Sequence, residues 1–212
     1  MDQPTPPAAP PPLLNLDGYT PVPAGKIAAI VTHLEMTARP APMPEPALAG
    51  LSLVHVPRPA LDWYRALFRE IGENWLWFSR LQLGDDALGA ILADPAVELH
   101  ALRRDGADVG LVEIDFRRLP EEAELAFVGI VAELTGSGAG RFLMNRAMEL
   151  VWARAPRRLT VHTCTLDHPA AVGFYQRAGF RALARSVEIA DDPRLMGVLP
   201  RGAAPGVPVI ER

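Results

Sequence analysis

A glycine-rich loop between two apolar segments constrains this chain more than any other stretch. The segment FVGIVAELTGSGAGRFLMNRAMELVWARA spans residues 127–155, and Gly136, Gly138 and Gly140 alternate with small residues inside it. The residues before the loop are almost continuously apolar, as in a central strand of a sheet. After the loop, apolar residues recur with helical spacing. A strand, a bare backbone and a helix N-terminus in this order are typical of an anion-binding site.

Two well-known phosphate-binding loops do not fit these residues. A dinucleotide fingerprint, G-x-G-x-x-G, would need a third glycine at Arg141 or Leu143. A nucleoside-triphosphatase loop would need a Gly-Lys pair, and residues 135–141 contain no lysine. A glycine-rich turn without a ligand remains an alternative, although three spaced glycines carry a conformational entropy cost that a plain connection would avoid.

The loop and a second motif together resemble the GCN5-related N-acetyltransferase (GNAT) family. That family carries Q/R-x-x-G-x-G/A between a strand and a helix, and residues 135–140 match its second half, with Thr135 in place of Gln or Arg. The second motif, DHPAAVGFYQRAGF at residues 167–180, is similar to the family stretch N-x-x-A-x-x-x-Y-x-x-x-G-F. Tyr175 occupies the tyrosine position, and His168 stands where asparagine is usual.

The resemblance implies an α/β (α+β) fold, with a mixed, mostly antiparallel twisted sheet flanked by helices. It implies acetyl-CoA as the cofactor, with the diphosphate of coenzyme A at the glycine loop. Gly129, inside the apolar strand, favours the β-bulge that this family places before the loop. The candidate cofactor-binding residues are Ile130, Val131, Ala132, Thr135, Gly136, Ser137, Gly138, Ala139, Gly140, Arg141, His168 and Tyr175.

The resemblance also implies direct attack of an acceptor amine on the thioester of acetyl-CoA in a ternary complex. The amide of Ile130 or Val131 would bind the carbonyl oxygen, and Tyr175 would act as general acid or, alternatively, pack its ring in the core. A protonated amine must lose a proton before it attacks, so a carboxylate base is expected. Glu124 is the first candidate and Glu113 the second, followed by Asp115.

Other chemistry-bearing residues have weaker patterns. His162 and Cys164 share one face of a predicted strand, where groove lining or core packing is favoured over nucleophilic catalysis. Trp75, Trp77 and Phe78 form an aromatic block that belongs to the core or lines an acceptor pocket. The remaining histidines are dispersed, so no metal site is expected.

Local patterns predict the remaining elements. Helical spacing predicts an amphipathic helix over residues 61–71 and a shorter helix from Asp85. Two alternating segments around Asp105-Gly106 predict a hairpin. Further strands are predicted at residues 26–36, 51–57, 158–166 and 180–189.

Proline distribution suggests the domain limits. The 22 prolines concentrate near the two ends. Residues 1–23 are expected to form a proline-rich tail, 24–50 an extra strand and linker, 51–189 the acetyltransferase domain, and 190–212 a Pro/Gly-rich extension. The added segments are expected to pack over the acceptor side or to serve homodimerisation.

Charge and cysteine content restrict the partners. The formal charge is −4, and basic pairs are scattered, so nucleic acid is not an expected partner. The single cysteine indicates a reducing compartment, and no membrane span or secretory signal is evident, so a cytoplasmic protein is expected. The expected acceptor is a small-molecule or peptide amine. A catalytically silent acyl-CoA-binding module and a proline-rich scaffold are the alternatives.

Overall fold

The computed structural model describes residues 14–211, and within them a seven-stranded sheet is flanked by four helices. The strands are β1 Lys26–Met36, β2 Leu51–His55, β3 Val97–Arg104, β4 Ala107–Asp115, β5 Ala123–Ile130, β6 Leu159–Cys164 and β7 Arg181–Asp191. The helices are α1 Leu61–Gly72, α2 Asp85–Ala93, α3 Ala139–Ala153 and α4 Ala171–Arg177. Residues 1–13 of the predicted proline-rich tail lie outside the described part of the chain.

The strands lie in the order β2-β3-β4-β5-β6-β1-β7. Strands β5 and β6 run parallel, and every other neighbouring pair runs antiparallel. The parallel pair requires a crossover connection, which α3 supplies. This mixed, mostly antiparallel sheet with flanking helices confirms the predicted fold class.

The N-terminal strand β1 occupies an interior position in the sheet. It pairs with β7 along its length and with β6 from Val31 to Met36. The sequence led us to expect an added strand outside a domain that begins at residue 51. Instead, both edges of β1 are hydrogen-bonded, which makes it part of the central sheet. The limits proposed for the two terminal segments stay predictions.

Local sequence signals explain several elements directly. The β3–β4 hairpin turns at Asp105 and Gly106, whose φ values of 51° and 86° are those of a two-residue type I′ turn. The predicted amphipathic helix is α1, which buries Tyr64, Leu67 and Phe68. The sequence encodes the turn and the helical spacing within a few residues, so local patterns were enough to predict both elements.

The sheet has two differently covered faces. Helix α1 lies on what we call the front face, where Phe68 packs edge-on against Phe127 of β5 with ring centroids 4.8 Å apart. Helices α3 and α4 lie on the opposite, back face, where Ile130 and Phe174 both approach Gly140 at the start of α3. The loop that follows α1 therefore lies on the front face of the sheet, and the glycine loop lies on the back face.

The bulge in β5 lies at Ala126 rather than at Gly129, where the sequence had suggested it. The register of β4 against β5 shifts between Glu113 and Ile114, which leaves Ala126 unpaired. Gly129 is required for packing, because a Cβ there would lie 2.4 Å from Cγ2 of Ile71.

Within residues 14–211, no helix is long and apolar enough to cross a membrane. The same part of the chain contains no group of three or more His, Cys, Asp or Glu residues arranged to bind a metal ion. The cytoplasmic location stays a prediction.

Candidate active site

A cavity of about 1020 Å³ opens where β5 and β6 separate. Their parallel pairing ends at Leu125 opposite Val161, and the remaining residues of both strands diverge. Residues 125–130 line one side of the cavity and residues 161–164 the other. The volume is at the upper end of the roughly 300–1,000 Å³ typical of ligand pockets, as expected for a site that brings two molecules together.

The glycine loop forms the back end of this cavity, and its amides divide into two sets. The amide of Ser137 donates to the Leu134 carbonyl oxygen, and that of Ala139 lies 3.2 Å from Ser137 Oγ. Within residues 14–211, the amides of Gly136, Gly138 and Gly140 have no hydrogen-bond partner. Three alternating free donors at the N-terminus of a 15-residue helix fit an anionic diphosphate.

The backbone of the loop requires glycine at two of these positions. Gly136 and Gly138 have φ values of 81° and 98°, in the left-handed region that side chains disfavour. A Cβ on Gly138 would also lie 2.4 Å from Cγ of Pro46, in the linker that follows β1. Sequence reasoning had assigned Ser137 and Ala139 to the cofactor as well, but their amides are bonded within the loop.

Two arginines add positive charge at this end. Arg141 lies in the first turn of α3 and lines the cavity. Arg177, in the last turn of α4, also lines the cavity and was not anticipated. Guanidinium groups are well suited to phosphate, so these two side chains complement the free amides.

The ladder between β4 and β5 determines which strand amide faces the gap. The Val131 amide donates to the Val109 carbonyl oxygen at 3.0 Å, so it is not free to bind a substrate. Antiparallel ladders alternate in direction, so the Ile130 amide points away from β4 and towards the gap. Of the two predicted donors, only Ile130 is suitably directed.

The chain matches a family model for the acetyltransferase (GNAT) family over residues 60–180. This match covers more than half of the sequence and includes both motifs and the cavity walls between them. The chain is a member of the GNAT acetyltransferase family. Acetyl-CoA is the cofactor of this family, and the free amides and arginines at the back of the cavity fit its phosphates.

Solved structures agree on the fold. A GCN5-related N-acetyltransferase from Sphaerobacter thermophilus superposes with a TM-score of 0.58 and 16% identity over 82% of this chain and 53% of its own. A GNAT-family protein from Novosphingobium aromaticivorans DSM 12444 gives 0.53 and 19% identity over 80% and 69%. No curated protein matches the sequence. At these identities the similarity establishes the GNAT fold alone.

Tyr175 projects from α4 into the same cavity. Its side chain is buried, and its hydroxyl has no hydrogen-bond partner within the described residues. Burial, reinforced by the negative charge of Asp167, raises the pKa of Tyr175 above its usual range. A phenol in this environment stays protonated at neutral pH and is available as a proton donor.

Glu113, the second predicted base, is a structural residue. It is 1% exposed and accepts hydrogen bonds from the Tyr64 hydroxyl and from Arg80 Nη2, each at 2.6 Å. Burial and this neighbouring carboxylate raise the pKa of Tyr64. Glu113 does not line the cavity. It is paired with the partly buried guanidinium of Arg80 and is not accessible to an amine.

Glu124, the first predicted base, contacts a histidine that does line the cavity. Its Oε1 lies 3.3 Å from Nδ1 of His162 on the neighbouring strand. The hydrogen bond to Glu124 raises the pKa of His162 against the opposing effect of burial, and the same bond lowers the pKa of Glu124. Glu124 itself is outside the cavity wall. Sequence reasoning missed this pair because the pairing of β5 with β6 creates it.

His168 and Asp167, at the start of the second motif, both lie at the cavity. His168 lines the cavity, and its Nδ1 accepts from the Ala170 amide at 3.1 Å. Asp167 does not cap α4. Its carboxylate accepts from Trp77 Nε1 at 3.0 Å and from Thr163 Oγ1 at 2.6 Å, so it ties the aromatic loop to β6.

The front end of the cavity is mainly aromatic and apolar. Its lining residues here are Trp75, Leu76, Trp77, Phe78, Ser79 and Leu166, together with His162, Cys164 and Glu188. Burial raises the pKa of Cys164, which favours the neutral thiol. The aromatic block thus lines the cavity, and Trp77 and Phe78 also pack against the two cores. Its contact with an acceptor stays a prediction.

The C-terminal segment that follows β7 packs against residues at the front end of the cavity. Leu199, Ala203 and Ala204 pack with Leu76 and Ile27 in a second small core. A buried pair of Asp192 and Arg194 holds this segment in place, because Arg194 Nη1 donates to the Val207 carbonyl oxygen at 2.7 Å.

Proposed function

We propose that this protein transfers the acetyl group of acetyl-CoA to a primary amine by direct attack in a ternary complex. The observation that carries the proposal is the placement of three free loop amides, the Tyr175 hydroxyl and His162 around one cavity. Acetyl-CoA supplies an activated acetyl thioester. The chain must bind its phosphates, orient the thioester in the gap and manage the protons.

Orientation and charge stabilisation come from the backbone. The amides of Gly136, Gly138 and Gly140 bind the diphosphate, with Arg141 and Arg177 neutralising its charge. The Ile130 amide points into the gap and donates to the thioester oxygen as negative charge develops on it. One preorganised donor of this type contributes about 10²–10³ to the rate of acyl transfer.

Protons move through His162 and Tyr175. Neutral His162 accepts one proton from the acceptor ammonium, and Glu124 orients the imidazole and stabilises its charged form. The amine nitrogen then bonds to the acetyl carbon while the carbon–sulfur bond breaks. Tyr175 donates its proton to the leaving sulfur and regains one from the new amide nitrogen. The products are the acetamide and coenzyme A, with one proton released from His162 to solvent.

A thiol-release assay with a broad amine panel tests this proposal. Acetyl-CoA is supplied in excess, and coenzyme A formation is compared with and without each amine. Amine-dependent release, with the acetylated product seen by mass spectrometry, is the expected result. Calorimetric binding of coenzyme A without release from any amine would instead identify a silent acyl-CoA-binding module.

We also propose that β7 is the contact surface of a homodimer. It is the edge strand of the sheet and is almost wholly exposed. Val187 and Ile189 are 42% and 44% exposed, and Ile30 lies opposite Val187 with 42% exposure. A long, exposed edge strand with apolar side chains of this kind on one face favours pairing with another strand.

Light scattering after size-exclusion chromatography measures the oligomeric state directly. The native chain is expected to elute as a dimer and Val187→Lys as a monomer. Met196→Lys, at an apolar residue that is 64% exposed elsewhere on the surface, serves as the control. A monomeric native chain at micromolar concentration would contradict the proposed dimer.

A further inference from the structure

The two ends of the cavity carry opposite charge, and this difference bears on the acceptor. The two arginines of the lining lie at the back of the sheet, Arg141 in the first turn of α3 and Arg177 in the last turn of α4. Among the described lining residues, the front end contains no lysine or arginine. A carboxylate bound at the front end would therefore face no lysine or arginine of the lining.

The register of the sheet places one available acid at the front end. His33 of β1 lies opposite His162, and Ala29, four residues earlier on the same face, lies opposite Glu188 of β7. Glu188 therefore projects from the front face, where it lines the cavity. It has no hydrogen-bond or ion-pair partner in the described part of the chain.

The other acid in the lining is already engaged. Asp167 accepts from Trp77 Nε1, Thr163 Oγ1 and the Cys164 amide. With those bonds made, it has little remaining capacity for a charged ligand. Glu188 is thus the group that attracts a cation, and a single acid matches a single ammonium.

The remaining front surface is suited to an apolar body. Trp75, Trp77 and Phe78 follow one another closely on the loop after α1 and line the cavity. Trp77 is fixed by its bond to Asp167, and Phe78 packs on the small core behind it. Rigid aromatic walls contribute most when a ligand buries apolar or aromatic surface against them.

We propose that the acceptor is a small primary monoamine with an aromatic or branched apolar body and no carboxylate beside the nitrogen. The body packs on the Trp75–Phe78 loop, and the ammonium lies between Glu188 and His162. The acetyl transfer itself is the one written above, with one proton passing to His162 and one from Tyr175 to sulfur. This inference rests on the proposed acetyltransferase function and specifies its substrate class.

Four matched amines test the class. The wild-type protein is assayed for kcat/KM with 2-phenylethylamine, phenylalanine, spermidine and a short lysine peptide. Phenylalanine differs from 2-phenylethylamine by one carboxylate, and its kcat/KM is expected to be about a hundredfold lower, the size typical when like charges are brought together. A kcat/KM for phenylalanine, spermidine or the peptide that exceeds the value for 2-phenylethylamine would overturn the proposed acceptor class. It would not contradict the proposed acetyl transfer.

A charge reversal tests the role of Glu188. Glu188→Arg is expected to reduce kcat/KM for 2-phenylethylamine. The ratio of kcat/KM for 2-phenylethylamine to that for phenylalanine should fall at least about tenfold. Glu70→Arg makes the same change on the exposed side of α1 and is the matched control. An unchanged ratio in the Glu188 variant would show that this carboxylate does not select the acceptor.

Binding without turnover separates the two proposals. Calorimetry with protein loaded with coenzyme A measures 2-phenylethylamine affinity for the native chain and for Trp75→Ala. If the native chain binds 2-phenylethylamine and Trp75→Ala weakens that binding, the proposed acceptor class is supported. If no acetyl transfer accompanies this binding, only the proposed function is contradicted. No binding to the native chain would overturn the class.

Discussion

The back and front ends of the cavity are built in different ways. At the back, the groups that fit the cofactor are mostly main-chain amides within five residues of one loop, Gly136 to Gly140. At the front, the lining side chains come from the loop after α1, from β6 and from β7, which are far apart in the sequence. Recognition by the backbone is thus encoded locally, whereas recognition by side chains depends on the whole sheet. Substitutions should accordingly separate cofactor binding from acceptor chemistry.

The largest expected effect concerns Tyr175, which lies between the two ends. Tyr175→Phe removes the proton donor for the leaving sulfur and should reduce kcat by about 10²–10⁴. Its hydroxyl has no partner in the described residues, so the midpoint of thermal unfolding and the coenzyme A affinity should stay unchanged. Steady-state kinetics, calorimetry and a melting curve check the three quantities. A weakened affinity with normal kcat would assign Tyr175 to the cofactor end alone.

A second substitution acts on the back end only. Gly138→Val adds a side chain at a φ of 98° and against Pro46, so the loop must move. Coenzyme A affinity should fall about a hundredfold, or about 2.7 kcal/mol. Calorimetry measures the change, and Gly89→Ala on α2, where a Cβ meets no atom within 4 Å, is the control. Native affinity in the valine variant would show that the loop does not bind the diphosphate.

A third prediction compares the two buried tyrosines. Tyr64→Phe removes the hydrogen bond to Glu113, which is paired with Arg80, and the free energy of unfolding should fall by about 1.5–3 kcal/mol. The kcat of the folded protein should persist, because this cluster is outside the cavity. Chemical denaturation and kinetics below the transition check both points. A large loss of kcat with an unchanged free energy of unfolding would indicate that Glu113 takes part in catalysis.

The smallest expected effect is a shift in the pH dependence of kcat/KM, which reports on His162 at the front end. His162 must be neutral to accept a proton, so kcat/KM should fall as pH drops below its pKa. Since the hydrogen bond to Glu124 raises that pKa, Glu124→Gln should move the acidic limb to lower pH. The other groups facing His162 are His33, Asp167, Glu188 and Cys164, which the substitution leaves intact. An unmoved limb would exclude His162 as the titrating base.

Local signals allowed part of this site to be predicted. The alternating glycines pointed to the loop whose free amides line the cavity, and the second motif pointed to Tyr175, which also lines it. Three differences from the sequence predictions arise from contacts between elements. A side chain at Gly129 would collide with Ile71 and Trp77, the Val131 amide is bonded to the Val109 carbonyl oxygen of β4, and Glu113 is paired with Arg80. Periodicity and spacing do not reveal contacts of this kind.

The sequence by itself determined the strand, loop and helix that we propose bind coenzyme A, because glycine backbone freedom and helix-end amides are properties of neighbouring residues. Only the tertiary structure decided that β1 lies inside the sheet, that Glu124 contacts His162, and that Glu188 is at the front end. These relations depend on strand order and register. Hydrogen-bonded pairing across the whole sheet sets that order, and no short stretch of sequence specifies it.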